Sequence, residues 1–284
     1  VPDALIFDRD LLLIRQARAR GQGAATFLLD RVAEEFAERL SAVLRQFELG
    51  ADVGTPTDRL QRELKKTGKV RRFIEAPIDD EILRFAEASL DLAVSALALQ
   101  HVNDLPGMLV QIRLALKPDG LFMGALLCGD TLTELRQAFA QAESEIEGGI
   151  SPRVAPFADL RDLGALLQRA GFALPVVDSD KLVVRYDSAF GLMRDLRGMG
   201  ATNVLLERRK TPLRRATLMR MAEIYALRFA DPDGRVRATF EIGWMSGWAP
   251  HESQQKPLKP GSATQRLADA LGTKEMPAGD KARR

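Results

Sequence analysis

An apolar run from Phe47 to Val53 contains an acidic residue, Asp52, and a glycine follows two positions later at Gly54. Such a run constrains the fold strongly. It is the way a doubly wound α/β domain begins when it binds a nucleoside, because glycine permits a positive φ and lets a ligand approach the main chain. The turn then continues Thr55-Pro56-Thr57-Asp58 instead of supplying further glycines. Proline fixes φ near −65° and removes an N–H donor. Two readings follow, a working cofactor loop and a purely structural turn. Asp58 either caps the next helix or places a carboxylate near a ligand.

The rest of the chain alternates between the two hydrophobic periods. The first twenty residues read as basic and irregular, with Arg9, Arg15, Arg18 and Arg20. Phe27, Leu28, Val32, Phe36 and Leu40 predict a helix within 24–47. Helices are expected at 57–66, 105–116 and 157–170, and one after an Asp130 N-cap. Strands are expected at 69–74, 90–97, 121–127, 173–177 and 182–186, with Lys117-Pro118-Asp119-Gly120 as a helix stop and turn. Alternation with short loops indicates a largely parallel sheet covered on both faces. Beyond Asp187, helices near 189–197 and 213–228 lead to a strand at 235–246. The organisation expected is a basic segment and lead-in helix (1–46), an α/β domain (47–187), an α/β extension packed on it (188–250) and a flexible tail (251–284).

With 284 residues and 46% hydrophobic content the chain can bury a sizeable core. Its formal net charge of +2 favours neither nucleic acid nor a membrane surface. A single cysteine, Cys128, excludes an internal disulfide and a cysteine-rich zinc site, and its apolar surroundings suggest a core residue in a reducing compartment. Two distant histidines, His101 and His251, do not make a metal site, so none is expected. No apolar run is long enough to cross a bilayer, which leaves peripheral association open.

Three passages carry a resemblance: Asp52-Val53-Gly54, Asp79 to Phe85 ahead of Ser89 to Ser95, and Leu114 to Gly120 ahead of a strand. In order and spacing they resemble the glycine loop, adenine loop with fourth strand, and L-K-P-G-G passage of class I S-adenosylmethionine-dependent methyltransferases. Leu97 to Pro106, Gly129 to Leu132, Glu147 to Pro152, Gly198-Met199-Gly200, His251 to Gln254 and Gly261 to Thr264 are similar to one subfamily. That subfamily is the mitochondrial complex I assembly factor number five and its bacterial relatives. The resemblance implies a Rossmann-like three-layer sandwich, S-adenosylmethionine as cofactor, and a protein acceptor or partner among complex I subunits. It implies a bacterial cytoplasmic or mitochondrial matrix-side location. It leaves four activities open: methyl transfer, hydroxylation of a protein arginine, non-catalytic assembly chaperoning, and methylation of a malonyl carrier protein.

Under this resemblance Asp52, Gly54 and Thr55 form the cofactor loop. Glu75, about twenty positions past the turn, would grip the ribose. Asp79 would accept from the adenine amino group, or serve as a surface acid. Ser95 and Leu97 would face the pocket. His101 would be the candidate for proton transfer, against a structural role. The family places a helix and a strand between the ribose acid and the adenine loop. Here only Ala76-Pro77-Ile78 intervenes, which would remove one wall of the adenosine pocket. Gly129, Asp130 and Thr131 read as rim or helix cap. Arg208 to Lys210 with Arg214, Arg215 and Arg220 read as a solvated face or a docking face for an acidic partner. Trp244 and Trp248 read as core or as a peptide contact.

Overall fold

A computed structural model describes residues 5–255 and 267–273. The strands are β1 (Phe47–Val53), β2 (Val70–Ala76), β3 (Leu90–Ala96), β4 (Leu116–Leu127), β5 (Ala173–Tyr186) and β6 (Val236–Trp248). They form one sheet in the order β2-β1-β3-β4-β6-β5. β1, β2, β3 and β4 pair in parallel, while β6 runs antiparallel to both β4 and β5. The chain leaves β1 toward one edge and leaves β3 toward the other. The crevice between the carboxyl ends of β1 and β3 is therefore the switch point where an open α/β sheet binds ligands.

The pleat divides the core. Leu121, Met123, Ala125 and Leu127 of β4 pack with α2 (Phe27–Ala42), α5 (Thr133–Glu147), α7 (Ala189–Gly198) and α8 (Arg215–Phe229). Phe122 and Leu126 point the other way, onto α4 (Leu105–Ala115) and α6 (Leu160–Arg169). α3 (Arg59–Lys66) joins the first face through Leu60 and Leu64. Fully buried leucines and phenylalanines such as Phe36, Leu40 and Phe122 each contribute about 1.5–3 kcal/mol relative to exposure.

Several elements differ from the sequence reading. The basic N-terminal stretch is not irregular: Arg9–Gly21 is a helix, α1, whose N-cap Asp8 accepts from Leu11 N at 3.0 Å. Residues 173–186 form one strand, not two. The polar stretch that suggested a break lies along a sheet edge, where Asp178 pairs with Arg39 and Asp180 accepts from Trp244 Nε1. Residues 236–248, read within an extension, lie inside the main sheet between β4 and β5. Asp130 does not cap α5, because Leu132 holds that position in a left-handed conformation and the Asp130 carboxylate pairs with Lys181 at 2.7 Å. The connection from β2 to β3 holds neither helix nor strand, only the loop 77–89. No described helix is long and apolar enough to cross a membrane.

Residues from His251 onward form a separate unit. Its described parts are a turn in which His251 Nδ1 lies 2.7 Å from Ser253 Oγ, and a short helix, α9 (Leu267–Ala270). Much of the tail expected to be flexible, including Gly261 to Thr264, lies outside the described residues.

Candidate functional site

β1 ends at the switch point, and its last turn sets the site. Gly54 takes φ +72°, a conformation that only glycine adopts at little cost. A Cβ there would come within 2.6 Å of Ile78 Cγ1, so the close approach that the glycine permits is taken by the Ile78 side chain. Gly54 N donates to Ala76 O at 2.9 Å, which ties the ends of β1 and β2 together. Thr55 Oγ1 accepts from Ala96 N at 3.1 Å and links the turn to β3.

These ends open into a cleft of about 410 Å³. Five sequence-chosen residues, Asp52, Gly54, Thr55, Glu75 and Asp79, line it together. Asp52 and Glu75 are register partners on β1 and β2. Pro56 and Asp58 also line the cleft without closing it, and Asp58 turns to Arg62. A volume of this size lies within the range of small-molecule sites.

Asp52 is the most perturbed group of the cleft. It is 4% exposed, and its Oδ1 has no hydrogen-bond partner. Burial pushes its carboxyl up to about 6; bonds from Thr55 and Gln61 oppose the shift and the Glu75 charge adds to it. A buried, half-satisfied carboxylate in a cleft wall is a functional-site signature.

The other two residues chosen as cofactor contacts lie elsewhere. Ser95 does not face the cleft: it is fully buried, and its hydroxyl donates to Val53 O at 2.7 Å, a bond that braces β1 against β3. Leu97 lines a neighbouring neck of about 60 Å³, in a left-handed conformation at φ 52°. Thr131 is also fully buried, its hydroxyl donating to Cys128 O, so it is no rim residue.

Sequence reasoning missed the opposite wall. α1 lays Arg9, Gln16 and Arg20 along the cleft. The Arg9 guanidinium donates to the carbonyls of Ile78 and His101 and lies 3.7 Å from Glu81. Glu81 in turn accepts from Asn103 N, Asn103 Nδ2 and Asp104 N at 2.8–3.1 Å. Asn103 Oδ1 accepts from Ile6 N and Phe7 N, both at 2.8 Å. This network ties the start of the 77–89 loop to α1, and Pro77, Ile78 and Asp79 of that loop line the cleft beside α1. No local pattern signals it, since Arg9 and Ile78 are 69 positions apart.

His101 follows β3 in a single 3-10 turn and is 8% exposed. Burial, reinforced by the Arg9 charge, lowers its pKa to about 4, so the ring is neutral at physiological pH. Phe7 meets it edge-on at 5.6 Å, and its Nδ1 has no partner. The basic patch is largely neutralised from within: Arg208 pairs with Asp8, Arg209 and Arg214 with Glu147, and Arg220 with Glu145. Trp244 is buried against Phe36, with Arg39 over its ring. Among the described residues no group of three or more His, Cys, Asp or Glu side chains is placed to hold a metal ion.

A methyltransferase-domain family matches residues 31–124, the span from α2 through the middle of β4. Over 282 residues the chain is 41% identical to the human protein named arginine-hydroxylase NDUFAF5, mitochondrial, covering 91% of this chain and 81% of that protein. This chain belongs to the NDUFAF5 family. The zebrafish (Danio rerio) NDUFAF5 is 40% identical over 262 residues, covering 86% of this chain and 81% of its own length. A malonyl-[acyl-carrier protein] O-methyltransferase of Laribacter hongkongensis is 40% identical over 200 residues, covering 68% of this chain and 64% of that enzyme. The likeness to NDUFAF5 extends well beyond the matched methyltransferase domain, over 91% of this chain.

Proposed function

We propose that this NDUFAF5-family chain binds S-adenosylmethionine in the cleft at the β1–β3 switch point and modifies or assists a respiratory complex I subunit during assembly. The observation that carries the reading is the convergence of Asp52, Glu75 and Asp79 on one cleft, with Asp52 buried and Oδ1 unsatisfied. Three carboxylates suit a ligand bearing an ammonium, ribose hydroxyls and an exocyclic amine. Asp52 would hold the buried cationic or hydroxyl end, Glu75 the ribose, and Asp79 the adenine. Gly54 N is engaged by Ala76 O, so side-chain acceptors and not this loop amide do the holding. When bound, the cofactor supplies an activated methyl on a sulfonium. The chain then needs chiefly to position the acceptor and exclude water, and α1 with residues 77–79 walls that side of the cleft.

Arginine hydroxylation is the second reading, favoured by the activity named for the relatives that share 40–41% identity. An assembly chaperone is favoured by one feature: Ile78 occupies the space over Gly54 that a cofactor would use. Calorimetry with S-adenosylmethionine separates these. Micromolar binding, about −8 kcal/mol, supports the cofactor reading, and absence of binding supports the chaperone. Mass spectrometry of the complex I subunit then distinguishes a methyl from an oxygen addition.

A further inference from the structure

The cofactor cleft adjoins two further cavities through shared walls. It shares Gln16, Arg20, Pro56 and Thr57 with the narrow neck. The neck shares His101, Leu127 and Ala201 with a third cavity of about 220 Å³. This chamber lies past the end of β4, between α5 and α7. Leu135, Phe139, Phe157, Met193 and Leu196 give it a hydrocarbon lining.

Its polar inventory is short. No carboxylate lines it. Arg153 is already held by Glu143, with Nε 2.7 Å from Oε1. The Asn203 side chain is spent on Pro152 O and Leu205 N. Thr202 adds a hydroxyl, and His101 is the buried exception: the residue is more than nine-tenths buried, and no hydrogen bond engages its ring. Leu132, which lines the chamber, takes φ 55°, and Leu97, which lines the neck, takes φ 52°. Strain of this kind concentrates where a site must be shaped.

We propose that this chamber receives an uncharged, ring-sized side chain of the polypeptide acceptor, hydrogen-bonded to His101, and that it excludes a guanidinium. That the chamber serves the acceptor rests on the cofactor reading above. A cavity of about 150 Å³ lined by aliphatic and aromatic groups holds benzene, so the larger chamber accommodates a substituted ring. A guanidinium entering it would leave water without an acid to meet it, and an unpaired buried charge is strongly disfavoured. A phenol or amide instead offers a partner to the His101 ring, which is neutral and otherwise unbonded. The chamber thus selects a residue next to the one modified. An arginine side chain would have to reach the cofactor by another face.

The test uses the full chain with labelled leucine and methionine methyl groups. N-acetyl-tyrosinamide is expected to shift the Leu135, Met193 and Leu196 methyls saturably, and N-acetyl-argininamide is expected to leave them in place. Leu196→Trp should weaken the tyrosinamide at least tenfold while S-adenosylmethionine affinity stays within twofold. Met193→Phe serves if the first variant does not fold. His101→Phe should weaken the tyrosinamide more than the corresponding phenylalaninamide, a split that a purely structural histidine would not produce. Shifts caused by the argininamide, no shift with either amide, or binding of free 4-methylphenol alone would overturn the proposal. If the tyrosinamide binds and S-adenosylmethionine does not, the chamber stands and the cofactor reading falls.

Discussion

Replacing Asp52 with asparagine should make the protein more stable and less able to bind its ligand. The carboxyl stands at about 6 in the folded chain against 3.8 for an ordinary aspartate. Between those values the native state holds more protons than the unfolded state, so this group makes stability fall as pH rises through the window. About two pKa units correspond to about 3 kcal/mol at 1.36 kcal/mol per unit. His101 works the other way. Its pKa is lowered from 6.5 to about 4, so the unfolded state holds more protons between them and stability rises with pH, by about 3 kcal/mol. In the wild type the two slopes nearly cancel between pH 4 and 6. Asp52→Asn removes one and exposes the other. Urea unfolding of both proteins at pH 4, 5, 6, 7 and 8 reads the difference, in which the remaining titrating groups cancel. The stability advantage of the variant should grow by about 2 kcal/mol from pH 4 to pH 7. Parallel profiles, or an advantage that shrinks with pH, would show that Asp52 carries no burial penalty in the folded state. The same variant should bind S-adenosylmethionine at least tenfold more weakly, because a charge-assisted bond of about 1.5–3 kcal/mol is lost.

Glu143→Ala should destabilise by about 3–5 kcal/mol, since Arg153 is left in a largely buried place without its partner. Hydrogen exchange at Ser151 N, which donates to Glu143 Oε2, reports the local loss. Gly54→Ala should cost about 1–3 kcal/mol in denaturant melts, because it combines a positive φ with a collision against Ile78. Cys128, fully buried and with its thiol pushed up to about 12 by burial and then by the Glu241 charge, should react with a thiol reagent at pH 8 only as fast as the protein unfolds. Rapid labelling of the native chain would contradict that burial.

The sequence was most legible where local chemistry and global fold agree. The run ending at Asp52 and Gly54, the strand at 90–96 and the Asp104-capped helix α4 are self-announcing, because periodicity, turn residues and caps coincide. The cleft itself was legible through Asp52, Thr55, Glu75 and Asp79, since strand ends at a switch point converge whatever lies between them. α1 was not. Leu11, Leu12, Leu13 and Ile14 are contiguous instead of spaced by three and four, so the helical period is masked. Arg9 and Glu81 could not be found from pattern at all, because their roles arise where distant segments pack. Ser95 misled for the opposite reason: it sits at the right strand end, but its hydroxyl is consumed by the neighbouring strand.

β6 has a consequence for biosynthesis. It is the wedge that joins β4 to β5, and of the described strands it leaves the ribosome last. Until residue 248 has emerged, β4 presents a bare edge and β5 has nothing to pair with, so the nascent chain carries two exposed templates for aberrant association. Early release or truncation before Val236 therefore forfeits β6 and strands β5 with it, two of the six strands and not merely a trailing appendage.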